Sequence, residues 1–269
     1  MVSGHDIQFP GMKSVLSFIT CSWLIVFSVG PAPAERINPA GISGALVLSG
    51  QNLSDGAIDK FNELAGGMEM RLVLLALDSG KFVEGLAARI RHRCKEKDLP
   101  APLLAVSGPG QETGKTLAAI NSATGVWLLG QDSSAIRDRL ASPGLQASVS
   151  ALMTRGGVVG ACGATCPVLA TDGIGLFPGS VIFADKGAGE ADLRRDKVLR
   201  ERPFLVGYEI DGSAALVVRG RRVMVAGKGE VEISLAAAAG RKARLIVLKG
   251  PEAVADLSAL RFAALALSR

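Results

Sequence analysis

Few residues of this 269-residue chain could do covalent chemistry. The richest stretch is Gly157-Val-Val-Gly-Ala-Cys-Gly-Ala-Thr-Cys166, an apolar run that enters a glycine-marked turn and carries two thiols and a hydroxyl. A strand turning sharply into a helix is the geometry that lifts a nucleophile out of a sheet edge. Cys162 is an alternative nucleophile if the turn falls on it, because a thiol needs little activation and a helix N-terminus favours the thiolate. Thr165 and, further on, Ser213 offer hydroxyls, which are poor nucleophiles unless a base takes their proton. The usual base is His, and the chain has two, His5 and His92. His92 lies in Arg91-His92-Arg93-Cys94 on a helical pattern and reads as a surface residue.

Other chemistries find less support. Of the four cysteines, Cys21 lies in an N-terminal apolar segment that reads as a cleaved leader; without it Cys94, Cys162 and Cys166 are an odd set, so at least one of them stays free or pairs between chains. Cys162 and Cys166 are four apart; on a helix their Cα atoms would be about 6 Å apart, close to disulfide range. No His or second Cys pair lies nearby to complete a metal site, so no metal and no cofactor is expected. Gly108-Pro-Gly-Gln-Glu-Thr-Gly-Lys-Thr116 imitates a phosphate-binding loop, but the spacing is wrong. The position where the motif needs its first Gly is Pro109, which has no N–H to offer a phosphate.

These residues need elements to hold them. Short apolar runs alternate with helical patterns: strands over 45–49, 72–77, 103–106, 126–129 and 157–161, and helices over 55–65, 82–95, 116–122, 134–140 and 145–153. Near-continuous apolar strands separated by helices predict a parallel sheet covered on both faces, an α/β three-layer sandwich. Beyond residue 203 the rhythm changes to closely spaced strands over 204–210, 214–218, 222–226, 231–235 and 243–248. Gly212-Ser213 and Gly220-Arg221 sit where hairpin turns would go. Antiparallel strands are therefore expected towards the C-terminus.

The N-terminus reads as an address. Lys13 precedes 16 mostly apolar residues, Ser14 to Val29, and Ala32-Pro33-Ala34 follows. That order predicts a secretory signal peptide cleaved after Ala34, with residues 35–269 as one exported domain, secreted or periplasmic. Met12 is an alternative start that would make residues 1–11 a gene-model extension. The apolar run is short against the ~20 residues of a membrane span, so no membrane attachment is expected after cleavage. The net charge of +5 is scattered. Its densest cluster, Arg89, Arg91, Arg93 and Lys95, meets Glu96 and Asp98 at once and has no interleaved aromatics, so nucleic acid is not an expected partner.

Several segments, taken in order, resemble the cyanophycinase and dipeptidase E family of serine peptidases, which has a class I glutamine amidotransferase-like fold. Gly44-Ala-Leu-Val-Leu-Ser-Gly50, with Phe61-Asn-Glu-Leu-Ala-Gly-Gly67, is similar to the family's first strand and helix. Thr124-Gly-Val-Trp-Leu-Leu-Gly130 resembles the strand before its Gly-Gly-Asp-Gln loop, and Gly156-Gly-Val-Val-Gly160 the run into its nucleophile elbow. Gly175-Leu-Phe-Pro-Gly179 resembles the approach to its catalytic His. Leu205-Val-Gly-Tyr-Glu-Ile-Asp211, with Ala215-Leu-Val-Val218, resembles the strand pair near its acidic residue.

The resemblance fails where the chemistry would be. The family elbow, Gly-Thr-Ser-Ala-Gly-Ala, falls on Ala161-Cys-Gly-Ala-Thr-Cys166, so Gly163 stands at the nucleophile position. Asp185 stands at the His position, and Gly212 at the acid position beside a retained Asp211. The Gly-Gly-Asp-Gln loop falls on Gly130-Gln131-Asp132-Ser133, and Gln51 follows the retained Gly50. A cleft lined by Gly50, Gln51, Gly130, Gln131, Asp132, Cys162, Gly163, Ala164 and Asp211 is what the resemblance implies. It implies a peptide or amino-acid-derived ligand there, and a scaffold without its serine machinery. The alternative is a surviving amide hydrolase using Cys162, since Gly160-Ala-Cys-Gly-Ala164 also resembles the Gly-x-Cys-x-Gly elbow of glutamine amidotransferases.

Overall fold

The computed structural model describes residues 41–106, 114–184, 190–238 and 241–265. The first half alternates strand and helix: β1 (Ile42–Ser49), α1 (Asp55–Leu64), β2 (Leu72–Ala76), α2 (Lys81–Glu96), β3 (Leu103–Val106), α3 (Gly114–Ser122), β4 (Gly125–Leu129), α4 (Ser133–Leu140), α5 (Pro143–Thr154) and β5 (Val158–Cys162). Local signals set the boundaries. The Ser54 hydroxyl caps α1 by accepting from the Ala57 amide at 3.2 Å, Asp132 caps α4 in the same way, and Pro143 opens α5 where its missing N–H costs nothing.

The chain then makes a seven-residue 3₁₀ turn over Gly163–Leu169. It continues as β6 (Ser180–Phe183), α6 (Glu190–Glu201), β7 (Val206–Ile210), β8 (Ala214–Gly220), β9 (Arg222–Gly227), β10 (Glu230–Leu235), β11 (Arg244–Lys249), β12 (Val254–Asp256) and α7 (Leu257–Leu265). Among the described residues the main sheet has eight strands in the order β12-β9-β8-β1-β5-β4-β2-β3. The five strands from β1 to β3 are parallel, and β8, β9 and β12 extend the sheet antiparallel beyond β1. The expected α/β sheet with antiparallel strands is therefore present.

Alternation sorts the apolar strands into two cores. Ala45 and Val47 of β1, with Trp127, Val158 and Cys162, face α1 and α2, against Phe61, Ile58 and Ile90. Leu46 and Leu48, with Val159 and Leu128, face the other way, towards Leu145, Val149 and Leu152 of α5.

That second layer corrects one expectation. β6, β7, β10 and β11 do not join the main sheet but form a four-stranded sheet of their own, in the order β11-β10-β7-β6. Its Tyr208, Ile210, Val231 and Ile233 share the core of α5 and α7. Gly220-Arg221 is a hairpin turn, joining the antiparallel β8 and β9. Gly212-Ser213 is not; it is a corner at which the chain passes from one sheet to the other.

Candidate functional site

The carboxyl ends of the parallel strands form one rim of the sheet, the usual place for a site in an open α/β fold. Five loops meet there: after β1 (Gly50-Gln51), after β2 (Asp78), after β4 (Gly130-Gln131-Asp132), after β5 (Gly163-Ala164), and the inter-sheet corner Asp211-Gly212-Ser213.

β5 reaches this rim and turns at Gly163, whose φ is +55°. A left-handed residue at the end of a central strand is the backbone form of a nucleophile elbow. Gly adopts it without a Cβ penalty. A Cβ built on Gly163 meets only the Gln51 Cα, at 3.9 Å, an ordinary contact without collision. The sharp turn at the end of β5 is therefore present, and its residue carries no side chain. What leaves it differs from the expected helix. Pro167, within the turn, has no amide hydrogen, and the chain runs as 3₁₀ to Leu169.

Cys162 is extended, with φ −138° and ψ 139°, and 1% exposed. Its side chain goes down into the core under α1 and α2 rather than up into the cleft. The thiol donates to the Gly50 carbonyl at 3.2 Å. Burial pushes its pKa up to about 12. The alternative of an activated Cys162 thiolate, which needed the turn one residue earlier, finds no support in this geometry: the turn is at the next residue, the sulfur is buried, and the burial favours the thiol. Cys166 is no disulfide partner for it. Cys162 belongs to one core and Cys166 to the opposite one, and both, like Cys94, are free thiols. Residues four apart on a 3₁₀ turn do not share a face as they would on an α-helix.

The first and last loops are bolted together. The Gly163 amide donates to the Gly50 carbonyl at 3.2 Å, and the Asn52 amide to the Gly212 carbonyl at 3.1 Å. Gly50 allows this approach, since a Cβ on it would lie 2.5 Å from the Asp211 carbonyl oxygen. Asp211 is half-buried, and its Oδ1 accepts from the Ser213 amide at 3.3 Å. Its carboxylate is engaged with its own corner.

The β4 loop is held by a residue that motif matching did not single out. Asp78 Oδ2 accepts from the Gln131 amide at 2.6 Å and from the Asp132 amide at 3.0 Å. The sequence signal was an isolated acid at the end of an apolar strand, in Leu77-Asp78-Ser79-Gly80. Asp132 itself caps α4, accepting from the Ser134 amide at 2.9 Å, and hydrogen bonds led by the Ser134 hydroxyl lower its pKa. Thr165 is fully buried, its hydroxyl donating to the Gly130 carbonyl at 3.2 Å. Gln51, Gln131 and Ser213 are exposed at the rim, and Ala164 is half-buried between them. Gly50, Gln51, Gly130, Gln131, Asp132, Gly163, Ala164 and Asp211 lie in loops at the carboxyl ends of the strands, while the Cys162 side chain lies in the core beneath them. Asp185 lies outside the described residues.

No family model matches the chain, and no curated protein matches it. Solved structures do. A peptidase from an acI-B1 Actinobacterium superposes with a TM-score of 0.61 at 14% identity, covering 81% of this chain and 98% of that one. The chain has a peptidase-like fold. A candidate Peptidase E from Listeria monocytogenes EGD-e superposes with a TM-score of 0.52 at 12% identity, covering 70% of this chain and all of the other. At such identities the likeness is one of fold.

Within that peptidase-like fold, His92 lies away from the elbow on the outer face of α2, 72% exposed and 3.3 Å from Glu96. The near-phosphate loop falls mainly outside the described residues; Lys115 and Thr116 lie in the first turn of α3. Among the described residues no group of acids, His and Cys could hold a metal ion, and no helix is long and apolar enough to cross a membrane.

Proposed function

We propose that this chain is an exported, cyanophycinase-like homologue of the peptidase E type that binds a peptide or amino-acid-derived ligand at the strand-end rim without hydrolysing it. The observation that carries this reading is the elbow at Gly163: its backbone keeps the left-handed turn, and the position that would hold a nucleophile is empty. Losing a nucleophile or base typically costs on the order of a millionfold in rate. Here Gly163 and Gly212 replace two members of a triad, and Cys162 and Thr165 are buried. Gln51 and Gln131, both exposed at the rim, offer side-chain amides for a ligand carbonyl or carboxylate. Export rests on the leader-like segment before Glu35.

The test is to incubate the purified protein with aspartyl dipeptides, β-linked aspartyl–arginine polymer and generic peptide amides. Heat stabilisation that saturates with ligand, without turnover, is the expected result. Turnover of any of them returns the chain to the hydrolases.

A further inference from the structure

A hollow adjoins the strand-end rim at Asp211. It is lined by Asp211, Lys228, Gly229, Glu230, Lys249 and Gly250 and has a volume of about 190 Å³. Three short segments build it: the inter-sheet corner, the turn between β9 and β10, and the end of β11. The Asp211 amide donates to the Glu230 carbonyl at 3.1 Å, which fixes the corner to the turn. Gly229 lets the turn close down, since a Cβ on it would lie 2.9 Å from the Ala214 Cβ. Glu230 and Lys249 are partners in the β10–β11 ladder, and their side chains pair at 2.6 Å. Two opposite charges are left over. Asp211 Oδ1 accepts from the Ser213 amide, and its Oδ2 has no hydrogen-bond partner among the described residues. Lys228, exposed in the turn, has no ion partner among the described residues either. The two do not pair with each other, although both line the same small hollow.

We propose that this hollow holds a free α-amino acid, its ammonium on Asp211 and its carboxylate on Lys228. The inference rests on the rim being a binding site, and it assigns the charge and size of the ligand there. At neutral pH a free amino acid carries both charges on one carbon. It therefore bridges a cation and an anion that stand apart, where a ligand with one charge satisfies only one of them. The lining has two acids and two lysines, so the hollow carries no net charge and suits a ligand that carries none. Its volume lies below the ~300–1,000 Å³ of drug-sized pockets, which selects one small amino acid over a peptide. Partly exposed ion pairs are individually weak, so selectivity comes from making both at once.

The experiment follows the backbone amide resonances of the purified protein during titration with alanine, N-acetylalanine and alaninamide. Alanine carries both charges, and each analogue carries one. Alanine should shift Asp211, Lys228, Gly229 and Gly250 and bind more tightly than either analogue. Lys228→Met should weaken alanine about fivefold, the contribution of one exposed ion pair, and leave alaninamide unchanged. Asp211→Asn keeps an acceptor for the Ser213 amide; it should weaken alanine to a similar degree and leave N-acetylalanine unchanged. Equal binding of alanine and its analogues, or alanine binding indifferent to both substitutions, would overturn the proposal. A silent hollow would overturn it too, and a peptide amide then separates two cases. Shifts at Gln51 and Gln131 with that probe leave the rim a binding site, and their absence removes both readings.

Discussion

The Cys162 sulfur sits 3.2 Å from the Gly50 carbonyl oxygen, beneath the same strand ends whose upper side is turned by Gly163. One residue of offset therefore separates a buried structural thiol from an empty elbow. Side chains on a strand alternate, so neighbours in sequence can belong to opposite sides of a rim.

Alkylation reads that offset directly. With a pKa of about 12, roughly one Cys162 in 10⁵ is ionised at neutral pH. Iodoacetamide should leave Cys162 unmodified in the folded protein and modify it fully in guanidinium, with mass spectrometry of the peptides as the readout. Rapid labelling of the native protein at Cys162 would contradict the geometry.

Substitutions at the rim glycines should separate strain from collision. Gly163→Ser places a side chain without collision at φ +55°, a cost of about 1 kcal/mol. The melting temperature should fall by about 2–4 °C for a domain of this size. Gly50→Ala drives its Cβ against the Asp211 carbonyl at 2.5 Å and should lower it substantially more. Equal effects would show that the two sites are not distinguished as described.

Asp78 should govern the β4 loop. Asp78→Ala removes a carboxylate that accepts from two consecutive amides, at a cost of about 2 kcal/mol. Hydrogen exchange at Gln131 and Asp132 should accelerate selectively. Unchanged exchange there would mean that the loop is held by other contacts.

Acid should weaken the α4 cap. The Asp132 pKa is lowered from 3.8 in the folded state by its hydrogen bonds with Ser134 and Ala135. Its contribution is therefore present above that value and lost as the pH falls through the lower, folded-state pKa. Asp132→Asn keeps a capping oxygen without the titration. Its melting temperature should fall less than that of the wild type between neutral and strongly acidic pH; parallel curves would exclude a role for Asp132 in the acid limb.

The sequence was most legible where one physical signal dominated. The parallel strands announced themselves as apolar runs, and α1, α2, α4 and α5 were found within two residues of their observed ends, because caps and apolar stripes mark them. β6, α6, β12 and α7 were not anticipated. β6 is four residues long behind a glycine-rich stretch, and α6 reads Glu-Ala-Asp-Leu-Arg-Arg-Asp-Lys-Val-Leu-Arg-Glu, with too few apolar residues to display a stripe. The division into two sheets depends on which long-range partners β7 and β8 choose, and the local spacing of a Gly-Ser pair looks the same for a hairpin and for a corner. At the site, the resemblance put a sharp turn at Gly163, where the structure has one, but left Cys162 open as a rival, because strand phase at a turn is settled only by its φ. Asp78 went unnoticed because its role is to hold backbone amides 53 and 54 residues away.

The most direct test of the account is covalent trapping at the rim. The purified protein is incubated with a fluorophosphonate and, separately, with an activated ester, and its intact mass is followed by mass spectrometry. The empty elbow predicts no adduct from either reagent at the rim residues Cys162, Thr165 and Ser213. A stoichiometric adduct mapping to Cys162, Thr165 or Ser213 would show a working nucleophile and contradict the binding-only account.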